Sequence, residues 1–368
     1  MSFHRRDFLQ TTAAGMLLPF TKSLAAAEQP AVKELAPATP AKPAPAKVDP
    51  YADAVFVAGE PPLPAKDSFT LAILPDTQNY SEKYPEIFVA QTEWIVANRD
   101  KRQIAAVLQL GDITNHNTEP EWKNAVAALT KLDGVVPTFL TLGNHDYSDK
   151  GVCKDRTTLF NKYFDLAKVR KTPNFGGVYD KEPEQLENAY YTFAAGGQKF
   201  LVLCLEFGPR ADVVRWANDV LAKHPEHATI LNTHAYMYFD ETRYDWAKYA
   251  AKQTWNPHNY AVAKATQDDV SDGEELWQKL VRNNPQVFLT LNGHVLNDGL
   301  GRLTSENSRG KSVHQLLVNF QMKPKGGDGW LRLMEFSPSR KTISVVDYSP
   351  TREQQNHSTQ NKFELAWG

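Results

Sequence analysis

The residues best suited to chemistry in this chain arrive in one repeated setting, directly after a short apolar run. LAILP hands over to Asp76-Thr77-Gln78, VLQL to Gly111-Asp112-Ile113-Thr114-Asn115, and TFLTL to Gly143-Asn144-His145-Asp146. TILNT ends at His234 and FLTLN at Gly293-His294. Carboxylates, a carboxamide and imidazoles are the oxygen and nitrogen donors that hold divalent cations. Taken singly, a Gly-Asp after a strand is usually a turn, and a lone histidine is usually a hydrogen-bonded structural residue. Five such endings in one chain are hard to ascribe to coincidence. Asn, His and Asp in a row after a buried run also meet no packing need. A glycine ahead of the polar residue lets the backbone turn sharply and approach a bound group closely.

The apolar runs must be the elements that carry these residues. FTLAIL, AAVLQL, PTFLTL, KFLVLCLEF, ATILNT and QVFLTL are short and rich in Val, Ile, Leu and Phe, which suits buried strands. Helical patterns lie between them. Thr118-x-x-Glu121 and Ser271-x-x-Glu274 read as capping boxes, and residues 211–223 place Val213, Ala217, Val220 and Leu221 on one stripe. Strand–helix alternation predicts an α/β layered fold, in which strand ends converge on one rim. After residue 310 the pattern turns to strands alone, SVHQLLVNF, WLRLMEF and TISVVDYS, so two packed sheets with helices outside are expected.

The bulk numbers exclude several alternatives. The chain has 368 residues, 42% of them hydrophobic, enough for one large domain. A formal charge of −2 gives no sign of a nucleic-acid-binding surface. Two cysteines, Cys153 and Cys204, are too few for a disulfide framework, and Cys204 sits inside an apolar run as a core residue. Residues 1–27 carry paired arginines, a short apolar segment and an Ala-x-Ala site ending at Ala27, and resemble a twin-arginine export signal. That implies a periplasmic or secreted protein. No later segment is long enough to span a membrane. Residues 28–65 read as an Ala/Pro/Lys-rich linker, and residues 66–368 as the folded domain. No G-x-S-x-G occurs, and RGKS at 309–312 lacks the first glycine of a phosphate-binding loop.

The order Asp-x-Gln, GDITN, GNHD, His, GH, spread over about residues 68–350, resembles the calcineurin-like metallophosphoesterase superfamily. The resemblance implies a four-layer αββα sandwich of two mixed sheets and a two-metal site that hydrolyses phosphomono- or diesters with a metal-activated water. It implies Asp112 as the bridging carboxylate, with Asn144, His234 and His294 completing the second metal and Asp76 on the first. It implies His145 as the acid for the leaving group, and Asp146 stands where it could orient that histidine. Two positions depart from the family pattern. Gln78 and Leu296 stand where histidines are usual, so the first site keeps only oxygen donors and is expected to bind weakly. Mn, Fe or Zn are the expected ions. Asn297, Asp298 or His116 are candidates to fill the gap. Arg156, Asn115 and His116 are candidate phosphate or substrate contacts, and the aromatic insertion 238–272 is a candidate lid. A non-catalytic binding protein on the same scaffold is the alternative that Leu296 favours, and a one-metal hydrolase with a different ester substrate is a third.

Overall fold

The computed structural model describes residues 49–367. The signal-like segment and the linker up to residue 48 lie outside the described residues.

The apolar runs become strands because both of their faces find a partner. In the Phe69–Leu74 strand, Phe69, Leu71 and Ile73 join one buried cluster, while Ala72 and Leu74 join another. A strand covered on both faces lies between two layers. Its sheet has eight strands among the described residues. The path runs Phe56–Ala58, Gln354–Asn356, Thr342–Ser349, Leu331–Ser337, Phe69–Leu74, Ile104–Gln109 and Thr138–Phe139, with Lys362–Ala366 paired on Thr342–Ser349. The second sheet has seven, in the order Leu300–Glu306, Ser312–Val318, Val287–Asn292, Ala228–Thr233, Gln198–Leu205, Ala189–Ala195 and Phe175–Val178. Each sheet mixes parallel and antiparallel pairs.

Aromatic rings mark where the sheets meet. Phe200 of the second sheet lies 5.4 Å from Phe69 and 6.3 Å from Phe336 of the first, measured between ring centroids. The outer cluster gathers Ala72, Leu74 and Val107 with Phe88, Ile95 and Trp122 of the helices Pro85–Asn98 and Glu119–Leu129. It also holds Leu201, Leu203 and Leu231 with Val213, Trp216 and Val220 of Ala211–Lys223. This is the four-layer αββα arrangement expected from the sequence.

The site-bearing strands run parallel within each sheet: Phe69–Leu74, Ile104–Gln109 and Thr138–Phe139 in the first, Ala228–Thr233 and Val287–Asn292 in the second. Their C-terminal ends therefore open on the same rim, and the site draws on both sheets.

Three sequence expectations need correction. The linker does not reach residue 65. Tyr51 donates to Asp328 (2.6 Å), Phe56–Ala58 pairs with Gln354–Asn356, and Arg102 donates to the carbonyls of Pro61 (2.9 Å) and Pro62 (3.3 Å). The second capping box is shifted by one residue. The Asp272 carboxylate accepts from Glu275 N–H and the Glu275 carboxylate from Asp272 N–H, both at 3.1 Å, while the Ser271 hydroxyl has no partner. Asp caps a helix start at least as well as Ser and adds charge that the helix dipole favours. PTFLTL gives only a two-residue strand, Thr138–Phe139, because it is an edge and pairs on one side only.

Candidate metal centre

Each metal-ligand candidate is placed by a backbone device at its strand end. Gln109 braces the turn before Asp112, accepting from Gly111 N–H (2.8 Å) and donating to its carbonyl (2.7 Å). Asp112 and His294 both sit at positive φ, 49° and 79°. Such backbone strain in non-glycine residues persists only where the surrounding structure over-determines it. The glycines leave the room. A Cβ on Gly143 would lie 2.1 Å from Asp112 Oδ1 and 2.7 Å from His234 Nε2, and one on Gly293 would lie 1.9 Å from Asp76 Oδ1.

The two histidines are held as metal ligands are. His234 donates from Nδ1 to the Leu110 carbonyl (2.7 Å), which leaves its Nε2 lone pair facing inward. That nitrogen lies 3.2 Å from Asp112 Oδ2 yet makes no hydrogen bond there. His294 donates from Nε2 to the Trp255 carbonyl (2.8 Å), so its lone pair is on Nδ1. A carbonyl that fixes the tautomer of the opposite nitrogen is the usual support of a ligating imidazole. Asp112, His234 and His294 can each bring a ligand atom within 4.8 Å of the others, and all three are buried. Asn144 Oδ1 and Gln78 Oε1 are buried acceptors with no partner. Buried polar atoms are ordinarily paired, so a set of orphaned acceptors beside a carboxylate suits a cation. The residues present therefore fit a divalent metal.

The electrostatics point the same way. Burial raises the Asp76 carboxyl well above its usual range, and Asp112 repels it further against the pull of His234. Burial also opposes charge on Asp112, but His234 and then His145 hold it below the usual range. Burial opposes charge on His234 as well, and the carboxylates of Asp112 and Asp76 lift it to about 9, so without an ion a proton occupies Nε2 and a bound cation would take its place. Burial and then repulsion from His234 push His294 down to about 3. The cluster demands positive charge between its carboxylates, which a divalent cation supplies.

The first-metal side is poorer. Asp76 accepts from His294 N–H (3.0 Å) and from Asn319 Nδ2 (2.9 Å). Gln78 donates to Asn115 Oδ1 (3.3 Å) and so presents its amide oxygen. Leu296 is half-buried and brings no donor atom. Asp298 accepts from Leu300 N–H (3.1 Å) and, with Asn297, lines a cavity bordered by Lys323. His116 is turned to Glu121 (Nδ1 to Oε1, 3.0 Å). Neither His116 nor Asp298 is among the residues clustered with Asp112, and Asn297 is exposed.

Other placements differ from the expectation. Asp146 does not touch His145. Its carboxylate accepts from the N–H groups of Ile113 (3.0 Å), Thr114 (2.8 Å) and Gly143 (2.9 Å) and from the Thr114 hydroxyl (2.9 Å). Asp146 thus clamps the Asp112 turn to the Asn144 turn, and burial, reinforced by Asp112, raises its carboxyl to about 7. His145 is oriented instead by the Asn115 carbonyl, 2.8 Å from Nδ1, and its own N–H donates to Asp112 Oδ1 (3.0 Å). Arg156 is not free for phosphate. Its guanidinium donates to the carbonyls of Phe207 (2.8 Å) and Gly208 (2.7 Å) and lies 3.5 Å from Glu206. Asn115 bridges Gln78 and Glu82, donating to the latter at 2.7 Å. Sequence reasoning missed Asn319 and the backbone carbonyls of Leu110, Asn115 and Trp255. Asn319 follows the Ser312–Val318 strand, so the strand-end pattern extended by one run would have found it.

The 238–272 segment packs against the rim, with Tyr244 and Asn256 fully buried and Trp255 39% exposed. His258 pins it, with Nδ1 2.7 Å from Asp268 and Nε2 2.9 Å from Glu275. Burial opposes charge on His258, but Glu275 and then Asp268 lift it to about 9. A raised folded-state value means the ion pairs stabilise fully below the ordinary histidine range of about 6.5 and are lost as pH rises through about 9. Amide exchange in residues 255–272, corrected for intrinsic rates, is expected to accelerate over that window, and His258→Gln to flatten the response. Constant protection would mean that the pin is absent.

The chain is similar to several known proteins. A family model described as calcineurin-like phosphoesterase covers residues 69–298. The uncharacterized protein YvnB of Bacillus subtilis (strain 168) is 32% identical over 311 residues, and the match spans 82% of this chain but only 21% of YvnB. Among solved structures, the chain is similar to purple acid phosphatase PPD1 from yellow lupin (Lupinus luteus) seeds. That likeness has a TM-score of 0.48 and 12% identity, over 83% of this chain and 55% of that one. A 5′-nucleotidase precursor from Thermus thermophilus gives a TM-score of 0.41 and 13% identity, over 82% and 54%. The matched stretch begins at the Phe69–Leu74 strand and takes in every metal-ligand candidate from Asp76 to His294, and the chain belongs to the calcineurin-like phosphoesterase family.

Proposed function

We propose that the chain hydrolyses phosphomono- or diesters of small molecules, with a divalent ion held by Asp112, Asn144, His234 and His294 and a second, weaker one by Asp76, Asp112 and Gln78. The observation that carries this reading is the buried cluster of Asp112, His234 and His294, in which His234 Nε2 has no hydrogen-bond partner and His294 Nδ1 is freed by the bond to Trp255. Bound ions would neutralise the phosphoryl oxygens and activate a water for in-line attack. The chain's own residues do the rest. Asp112 would supply the anionic charge that two close cations need. His145, with Nδ1–H committed to the Asn115 carbonyl, presents Nε2 to the leaving oxygen and in its charged form delivers a proton there. Asp146 acts as a positioning residue, keeping the two turns in register.

The two ions should not be equivalent. Asp76 already accepts two hydrogen bonds, and no imidazole serves the first site. Dialysis of the purified protein is expected to leave about one ion per chain, and added Mn to raise turnover of generic mono- and diesters. Two ions retained at equal occupancy would overturn the asymmetry. A binding protein without turnover is the second reading, favoured by Leu296. Metal bound with no hydrolysis at any added Mn concentration would support it.

We further propose export, on the strength of residues 5–27, with a periplasmic or secreted location. Among the described residues, no helix is long and apolar enough to cross a membrane. N-terminal sequencing of the mature protein should begin at Glu28.

A further inference from the structure

A sixth strand end reaches the rim that holds the metal centre. Ser312–Val318 runs parallel to Val287–Asn292 with Leu317 opposite Asn292, so Asn319 leaves its strand level with His294. Like the other five ends it delivers a polar residue, and Asn319 is fully buried. It is neither a ligand candidate nor a substrate contact.

Three partners orient its carboxamide. Nδ2 donates to Asp76 Oδ2 (2.9 Å) and to the Val295 carbonyl (3.3 Å), while Oδ1 accepts from Gln321 N–H (2.9 Å). Reversing the amide would set its oxygen against two acceptors, so the partners allow one orientation. The backbone is fixed as well. Asn319 N–H donates to the Gly299 carbonyl (2.7 Å), and a Cβ on Gly299 would lie 2.0 Å from the Asn319 carbonyl oxygen.

The consequence falls on Asp76, which is itself buried. Its Oδ2 receives both Asn319 Nδ2 and His294 N–H (3.0 Å), whereas Oδ1 has only a longer bond from His294 N–H (3.2 Å). Oδ2 is therefore the anchored oxygen, and Oδ1 is the one left for an ion. Through the Val295 carbonyl the same amide group also holds the turn that carries His294. One side chain thus ties the carboxylate of the first ion to the strand end that supplies an imidazole to the second. These bonds use lone pairs of Asp76, which keeps the first ion the weaker of the two. Without the Asn319 bond, however, the carboxylate would be free to turn.

We propose that Asn319 is the positioning residue of the first ion, anchoring Asp76 Oδ2 so that Oδ1 is presented for coordination. The proposal rests on the two-ion reading above. With Leu296 in place of an imidazole, the first site depends on how rigidly its oxygen donors are held. Loss of the partner behind a metal ligand typically costs about 10- to 100-fold in affinity.

Titration of the dialysed protein with Mn tests this without reference to turnover. Metal analysis counts the tight ion, and the paramagnetic resonance signal of free Mn follows the weak one. Asn319→Leu keeps the branched shape, removes the donor and is expected to weaken the weak ion about 10- to 100-fold, with the tight ion retained. Asn319→Ala provides a second variant should Asn319→Leu not fold, and circular dichroism identifies a folded one. A folded variant that binds the weak ion as the unaltered protein does would overturn the proposal. So would one that loses both ions to the same degree, which would mark a purely structural residue. If the unaltered protein takes up no weak ion, the two-ion reading falls as well, and the two failures are told apart.

Discussion

Replacing Asp112 with asparagine is expected to lower kcat/KM for generic phosphoesters by on the order of 10³-fold or more, with loss of bound metal. The ions are asked to supply several kcal/mol of transition-state charge stabilisation, and each tenfold in rate is about 1.4 kcal/mol. Asparagine is the informative choice because it removes little else. It tolerates the left-handed backbone, which Asp112 adopts at φ 49°, and its amide oxygen can still accept from His145 N–H. Alanine would add strain to the loss of charge, so Asp112→Ala serves as the harsher control. A variant with normal melting, no metal and undiminished hydrolysis would end the reading of a metal-dependent reaction at this site. Metal content and rate should fall together, and a fall in rate with metal content intact would remove Asp112 from the ligand set.

His145→Gln is the second substitution with a large expected effect. It would remove the group proposed to protonate the leaving oxygen while leaving the proposed ligand set untouched, so metal content should stay constant. General acid catalysis is typically worth about 10²- to 10⁴-fold. The loss should fall mainly on kcat and should depend on the leaving group. An alkyl ester, whose alkoxide leaves poorly without a proton, should suffer far more than a nitrophenyl ester. Equal losses on both would assign His145 to binding the phosphoryl group instead. Asn115 enters this argument only through its carbonyl, which holds Nδ1, so side-chain substitutions at Asn115 should spare most of the His145 effect.

The parts of this architecture that were legible in the sequence share one physical cause. A run buried on both faces is mostly apolar, so polar residues crowding its C-terminal end stand out, and Asp76, Asp112, Asn144, His234 and His294 were legible for that reason, although buried Gln109, Asn232 and Asn292 precede three of them. The helix over 211–223 was legible in the same way, as a stripe. What stayed hidden were contacts made by groups that every residue possesses. The carbonyls of Leu110, Asn115 and Trp255 orient three histidines, and no residue type announces a carbonyl. Asp146 illustrates the resulting error: proximity in sequence to His145 suggested a side-chain contact, while the carboxylate instead collects N–H groups from a turn more than thirty residues away. The domain boundary failed for a related reason. Pro61 to Ala65 has the composition of a spacer, and contacts made by distant residues, the buried guanidinium of Arg102 with Gln103 and Glu335, make it part of the fold.

The hydrogen bond from His294 to the Trp255 carbonyl has a thermodynamic consequence. An ion on Nδ1 draws electron density from the ring and strengthens the opposite N–H as a donor, so ion binding tightens the hold on the 238–272 segment. Linkage makes this reciprocal. Any molecule that pulls Trp255 away from the rim must lower the affinity for the ion by the same factor, and any that presses it home must raise it. If the segment holds substrate as the proposed lid, that capture and retention of the metal would be two legs of one cycle, with neither affinity independent of the other.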